Sequence, residues 1–214
     1  MRRPSVGSAG WAGWAGWAIA MFVLDISTTG RLLFWMNDRS CYLLFRRLDS
    51  EMVEIEAASS GGPGLARLEP SDEELVERFF GRLSADSLYR RFFTPVTRPE
   101  RFASALLRVD GMERAAVAAV ESGEVVGVAQ YSRRPGADAA DMAIVVADGW
   151  QRQGIGTRLV AALADRAAGQ GIEAFAVDVQ GDNQGALRLL RRVAPGLRLA
   201  FSDGVGEGSF AIGR

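Results

Sequence analysis

The sequence predicts a mixed α/β domain built on an α+β sheet, and three observations carry that reading. Two β-type runs at residues 114–120 and 124–131 meet at Ser122-Gly123, the pattern of an antiparallel hairpin. A third run at 140–146 passes through a turn into a helical stretch whose Ile155, Leu159, Leu163 and Ala167 recur every four residues. A strand at 172–179, a helix led by Asn183 and two strands at 197–201 and 205–212 close the chain, so the helices interrupt a sheet of mixed direction.

At 214 residues the chain fits one ordinary domain plus an extension. The Ser59-Ser60-Gly61-Gly62-Pro63-Gly64 stretch has the composition of a flexible linker. Residues 1–63 are accordingly read as a poorly defined N-terminal extension and linker, and 64–214 as the domain. The extension holds the repeat WAGWAGWA and an uncharged run over residues 9–24. That run is shorter than the roughly 18 residues a spanning helix needs, is diluted by glycine and alanine, and ends at Asp25 without an A-x-A pattern. Arg2 and Arg3 supply a positive start, yet neither an anchor nor an export signal is expected. Residues 31–57 mix short apolar runs with charges. Three alternatives stay open for them: a hairpin packed on the domain, disorder, or a stretch not natively translated.

The first half of the domain reads as a short strand at 65–68 followed by helices. Ser71 with Glu74 three residues on forms a capping-box pattern, and Leu75, Val76, Phe79, Phe80 and Leu83 repeat at helical spacing as a core stripe. A second helix is expected over 86–93, and a third opens at Pro99 with Phe102, Leu106 and Val109 on one face.

Composition excludes several chemistries. Apolar residues make up 48% of the chain and the net charge is −1, so no global field attracts nucleic acid, and none is expected as a partner. The sequence contains no histidine, and every basic side chain in it is arginine. A Ser-His-Asp or Cys-His mechanism, a His-ligated metal site and a P-loop therefore cannot be built, and no metal is expected. The single Cys41 permits no internal disulfide, lacks an activating imidazole and agrees with a reducing, cytoplasmic location.

The most informative stretch runs from Ile144-Val145-Val146 through Ala147-Asp148-Gly149-Trp150 to Gln151-Arg152-Gln153-Gly154-Ile155-Gly156-Thr157. A strand, a turn and a helix start in that order suit a pyrophosphate, because the first turn of a helix has N–H groups without internal partners and a positive dipole end. Gly154 and Gly156 carry no Cβ to hold a phosphate off, and Arg152 can add a charged contact. A dinucleotide fingerprint fits less well, since its third small position is filled by Leu159.

Gln151-Arg152-Gln153-Gly154-Ile155-Gly156 resembles the Q/R-x-x-G-x-G/A signature of the GNAT superfamily of N-acetyltransferases. The resemblance covers residues 64–214. It implies an acyl-CoA N-acyltransferase fold with a sheet splayed between its fourth and fifth strands and acetyl-CoA in the cleft. The cofactor residues so implied are Ile144, Val145, Val146, Gln151, Arg152, Gln153, Gly154, Ile155, Gly156, Thr157 and Asn183. The segment Leu83-Ser84-Ala85-Asp86-Ser87-Leu88-Tyr89-Arg90-Arg91-Phe92-Phe93 is similar to the L-S-x-x-S-x-Y-x-R-F segment of bacterial protein lysine acetyltransferases. Its rings, Tyr89, Phe92 and Phe93, are read as helix packing.

An alkylammonium has a pKa of roughly 10.4 and must lose a proton before it attacks a thioester, so a base is required. The similar protein acetyltransferases place a glutamate ten positions before the first residue of the loop, which here is Asp141. Aspartate is one methylene shorter, so a water relay replaces direct contact. Glu113, Glu121 and Glu124 are read as solvated charges beside the hairpin. The tyrosine that often protonates the departing thiolate corresponds to Leu190, and solvent can supply that proton. Asn183 is expected chiefly to cap its helix and also to reach the pantetheine arm. The expected reaction is acetyl transfer from acetyl-CoA to a primary amine, a protein lysine first. A small-molecule amine acetyltransferase and a non-catalytic acyl-CoA-binding module remain the alternatives. With no lysine in the sequence, autoacetylation of lysine side chains is excluded.

Overall fold

The computed structural model describes residues 62–212, together with the backbone of four strands nearer the N-terminus. Those strands are β1 (Ala20–Ile26), β2 (Gly30–Asn37), β3 (Ser40–Arg46) and β4 (Met52–Ala57), joined as an antiparallel meander. The WAGWAGWA run and linker residues 59–61 lie outside the described residues. From β5 (Gly64–Arg67) the sheet continues through β6 (Arg114–Glu121), β7 (Glu124–Arg133), β8 (Ala139–Val146) and β9 (Ala174–Gln180). It ends with β11 (Val205–Ala211) next to β9 and β10 (Ala200–Ser202) at the edge. The α-helices are α1 (Glu73–Gly81), α2 (Ala85–Phe92), α3 (Phe102–Leu106), α4 (Ile155–Ala168) and α5 (Gln184–Val193).

All neighbours pair antiparallel except β8 with β9, and that parallel pairing covers only Ala139, Ala140 and Asp141 against Ala174, Phe175 and Ala176. Beyond Asp141 the two strands separate. This is the splay expected between the fourth and fifth strands, counted from β5.

Two cores form, one on each face of the sheet. Leu159, Leu163 and Ala167 of α4 pack with Leu187 and Leu190 of α5 against Val126, Tyr131, Phe175 and Val177. On the opposite face, Val76, Phe79, Phe80 and Leu83 from the α1 region join Leu88, Leu106, Val128 and Val145. The four-residue and three-residue spacings read from the sequence thus mark the buried stripes of α4 and α1. Helix α4 lies so close to the sheet that a Cβ on Gly127 would come within 3.1 Å of a Leu159 methyl and 3.3 Å of a Val146 methyl. Glycine at that strand position is what permits the approach.

Several local expectations change. The capping pattern at Ser71 and Glu74 is not the one the chain uses: Asp72 accepts from the Glu69 N–H at 2.9 Å through its side chain. Pro70, fixed in φ and lacking an N–H, begins a 3-10 turn over Pro70–Asp72 and moves the helix entry back. Phe92 packs as expected, stacked 4.0 Å from Phe102, but Tyr89 and Phe93 are exposed at 45% and 38%. Tyr89 lies on the side of α2 away from its buried Ser87 and Leu88, and Phe93 is the left-handed C-cap just past the helix end. Two of the carboxylates read as solvated are paired: Glu113 with Arg133 at 2.7 Å, and Glu124 with Arg82 at 2.9 Å. Among the described residues, no helix is long and apolar enough to cross a membrane and no metal-binding group of side chains is found.

Replacing Asp72 by alanine removes the bond to the Glu69 N–H and is expected to cost about 1 kcal/mol, whereas Ser71→Ala stays within about 0.5 kcal/mol. Urea unfolding of the two variants measures the difference, and the reverse order would return the cap to Ser71.

Candidate active site

The gap between β8 and β9 is lined by main chain. The Ala147 N–H donates to Val126 O, and β7 and β8 run in unbroken antiparallel register. Alternation along an antiparallel ladder then turns the N–H and C=O groups of residues 143 and 145 toward β7, while the Ala147 C=O accepts from the Trp150 N–H in the next turn. Those of Met142, Ile144 and Val146 face the other way, into the gap that β9 leaves. Ile144 and Val146 therefore offer the edge expected of them. Val145 lies between them with its backbone toward β7 and its side chain in the core, 8% exposed. Its part in the site is structural support.

The loop after β8 makes a second set of donors. Gln151, Arg152, Gln153 and Gly154 are exposed, with Arg152 at φ 62° and Gly154 at φ 81°, both left-handed. Left-handed residues in such a turn gather successive N–H groups on one side, an anion-binding concavity. Gly154 is the N-cap of α4 and provides no side-chain cap, so the N–H groups of Ile155, Gly156 and Thr157 in the first turn have no intrahelical acceptor. A Cβ on Gly154 would meet nothing within 4 Å, which leaves its outer side to a ligand. Gly156 serves a different end. A Cβ there would lie 3.2 Å from a Leu189 methyl, so its small size admits α5 against the start of α4.

The glutamines of the loop turn inward. Gln153 Nε2 donates to Gly149 O at 2.9 Å and closes the turn on itself. Gln151 Nε2 donates to Val146 O at 3.1 Å and to Ser87 Oγ at 3.2 Å. The loop is thereby tied to α2. Asp148 completes the tie, its carboxylate accepting from the Ser84 N–H at 3.1 Å, the Ser84 hydroxyl at 2.7 Å and the Ser87 hydroxyl at 2.8 Å. Ser84 is also the N-cap of α2, accepting from the Ser87 N–H at 3.1 Å. Partial burial pushes the Asp148 carboxyl up, but the three hydrogen bonds outweigh burial and hold it below the ordinary carboxylate value. Sequence reasoning missed Asp148 and the role of both serines, although the Ser84-x-x-Ser87 spacing at a helix start marks two hydroxyls that a nearby acceptor can share.

Asp141 stands where the strands part, exposed, opposite Ser132 of β7 and beside Ala176 of β9. Asn183 caps α5 through Oδ1, which accepts from the Ala186 N–H at 3.0 Å, so the Nδ2 group is its remaining donor. Leu190, in the position of the absent phenol, is buried in the core of α4 and α5. Near Asp141, a pocket of about 170 Å³ opens between α3 and the sheet, lined in part by Leu106, Arg114, Gln130 and Ser132. The buried Gln130 Oε1 has no hydrogen-bond partner among the described residues. On α2, Arg91 lies 4.9 Å over the Phe92 ring, and desolvation draws its guanidinium down to about 10.

Because the Asp148 pKa is lowered on folding, its contribution to stability is complete above the unfolded carboxylate value of 3.8 and is lost as pH falls through the lower folded value. The stability difference between the protein and an Asp148→Asn variant should therefore be constant from pH 7 to about 5 and shrink below that. Urea unfolding across this range tests it, and a gap that widens on acidification would give the opposite sign.

A strand edge with free amides, a concave ring of N–H groups and an uncapped helix start together form a receptor for an extended ligand ending in phosphates. Known proteins share this fold. A profile of the acetyltransferase (GNAT) family matches residues 82–194, more than half of the chain. The GNAT domain of Streptomyces lividans PAT is 26% identical with a TM-score of 0.65, over 71% of this chain and 91% of that one. The ribosomal-protein-S18-alanine N-acetyltransferase of Escherichia coli shares the fold at 19% identity and a TM-score of 0.53, over 70% of this chain and 94% of that one. A phosphinothricin acetyltransferase of Sinorhizobium meliloti, solved with AcCoA, shares it at 17% and 0.56, over 72% and 90%. With its splayed sheet and its glycine loop at the head of α4, the chain belongs to the acetyltransferase (GNAT) family.

Proposed function

We propose that this protein moves the acetyl group of acetyl-CoA to the side-chain amine of a protein lysine, with Asp141 as proton acceptor. The observation that carries the reading is the opening between β8 and β9, where strand amides lead to the uncapped start of α4 and Asp141 stands at the point of divergence. Acetyl-CoA supplies an acyl group already activated as a thioester. The protein's part is to hold it, polarise it and take up a proton.

The loop from Gln151 to Thr157 would hold the phosphates through main-chain N–H groups, with Arg152 adding charge. The pantetheine arm would lie along the β8 edge, and the Asn183 Nδ2 group is available to it from across the gap. Of the three cleft-facing amides, those of Ile144 and Val146 lie in the stretch expected to hold the cofactor and are the candidates for the thioester carbonyl. At about 3.4 Å per residue, Ile144 lies roughly 10 Å along the strand from Asp141 and Val146 roughly 17 Å. A base that works through one or two waters serves an acyl group at Ile144 and not at Val146, so the Ile144 N–H is assigned the polarising role. The ammonium proton passes to Asp141 as nitrogen attacks, and the thiolate leaves without a phenol, taking its proton from water.

A protein acceptor is favoured by access. Asp141 is exposed on an open stretch of sheet, and the nearby pocket, about 170 Å³, is smaller than the roughly 300 Å³ at the low end of small-molecule sites. The similarity of the Ser84 to Phe93 segment to protein acetyltransferases points the same way, as does the likeness to the GNAT domain of Streptomyces lividans PAT.

Incubation with acetyl-CoA and a panel of lysine-containing proteins and small amines, followed by CoA release and mass increase, tests the acceptor. Turnover confined to small amines would replace the lysine reading, and binding without turnover on any acceptor would leave a binding module. Asp141→Asn is expected to keep acetyl-CoA affinity and to lose roughly 10²- to 10⁴-fold in kcat; equal turnover removes Asp141 as base. Gly154→Ala, forced into a left-handed backbone, should weaken acetyl-CoA binding by about tenfold, measured by calorimetric titration.

A further inference from the structure

The geometry points to Asp148 as a positioning residue for acetyl-CoA, acting through Ser84 and Ser87 on the side chain of Gln151. The inference holds for any acceptor, since it concerns only how the cofactor loop is set. Three features carry it. The Asp148 carboxylate gathers three donors from the first turn of α2. The Ser87 hydroxyl, having given its proton to Asp148, has lone pairs left, and one of them receives Gln151 Nε2. Gln151 Nε2 also donates to Val146 O, the carbonyl that strand alternation aims into the gap.

The direction of each bond matters. A carboxylate accepts only, so the Ser84 and Ser87 hydroxyls must both point their protons at Asp148. Ser87 Oγ is then left as an acceptor toward the loop, which selects the amide nitrogen of Gln151 in preference to its oxygen. The nitrogen so placed engages one lone pair of Val146 O and leaves the Val146 N–H open. The network thus partly satisfies the carbonyl at one end of the strand edge, and it fixes the first residue of the loop against α2.

The link has a second end. Arg90, one turn along α2 from Asp86, bonds Asp86 at 2.7 Å and approaches Asp182 at 3.6 Å, next to the Asn183 cap of α5. Helix α2 therefore touches both banks of the gap, the loop through Asp148 and the turn before α5 through Arg90.

The test measures CoA and acetyl-CoA binding and separate KM values on the full-length chain carrying Asp148→Asn, Ser87→Ala and both. Asp148→Asn keeps the size of the side chain but removes its charge and turns one oxygen into a donor, set against either the Ser84 N–H or the two hydroxyls that share the other oxygen. The expected result is a rise of roughly tenfold or more in the acetyl-CoA KM and the CoA Kd, as for a lost charged hydrogen bond. The acceptor KM and kcat at saturating acetyl-CoA should hold within about twofold. The double variant should be no worse than Asp148→Asn alone, because both changes break one chain of bonds. A role confined to stability predicts the opposite split, fewer active molecules and a lower kcat with the acetyl-CoA KM intact. That split, or unchanged CoA affinity in folded Asp148→Asn, overturns the proposal. Should that variant fail to fold, Ser87→Ala decides: unchanged CoA affinity with native circular dichroism overturns the proposal equally. Loss of turnover with every amine but normal CoA binding would sink the acetyl-transfer reading and leave this one standing.

Discussion

A parallel ladder that lasts three residues and then stops is the constraint from which the rest of this molecule follows. Main-chain N–H and C=O groups are obligatory hydrogen-bonding groups, and a strand that leaves its neighbour must find other partners for them. In β8 those partners are supplied on one side by β7 along the whole strand, and on the other by β9 only as far as Asp141. What the sheet gives up there, a guest can use. Both banks are anchored in the core beneath α4, β8 through Ala140 and Met142 and β9 through Phe175, Val177 and Val179, and β8 is held on the opposite face as well through Val145.

The loop beyond β8 extends the same logic to the start of α4. A helix that begins on a left-handed glycine, with no side chain over its first turn, gains stability at that end from solvent or from an anion. Structural economy is visible in the two glycines. Gly154 is required by backbone conformation and by open space, and Gly156 by the nearness of Leu189 on α5. The signature therefore records one demand of backbone conformation and one of helix packing.

Much of this was legible beforehand, for physical reasons that differ by element. The stripes of α1 and α4 could be read because burial on one face imposes a period, and the Asn183 cap because few side chains accept from a helix start. The Ser71 pattern misled because a proline one residue earlier fixes the chain before the serine can act. Two rings of the α2 segment were misjudged for local reasons: Tyr89 falls on the outward face of an eight-residue helix, and Phe93 follows its end as a left-handed cap. Asp148 was invisible because its partners are 61 and 64 positions away, and no local spacing links a strand end to a helix cap at that distance. Asp141 was reached by resemblance alone; its place at the fork of the sheet is a property of β9, which the residues around Asp141 do not encode.

The bond from Gln151 to the Val146 carbonyl carries one more implication. A peptide-like arm has a sense of direction, with oxygens and amide hydrogens alternating in fixed order. Were both lone-pair and hydrogen sites of Val146 open, such an arm could settle in either sense. One of that oxygen's two lone pairs is already engaged, so the Val146 N–H is the more open of the two groups, and a threaded guest gains most by bringing its own oxygen to it. One amide side chain thereby biases the sense in which an arm is threaded.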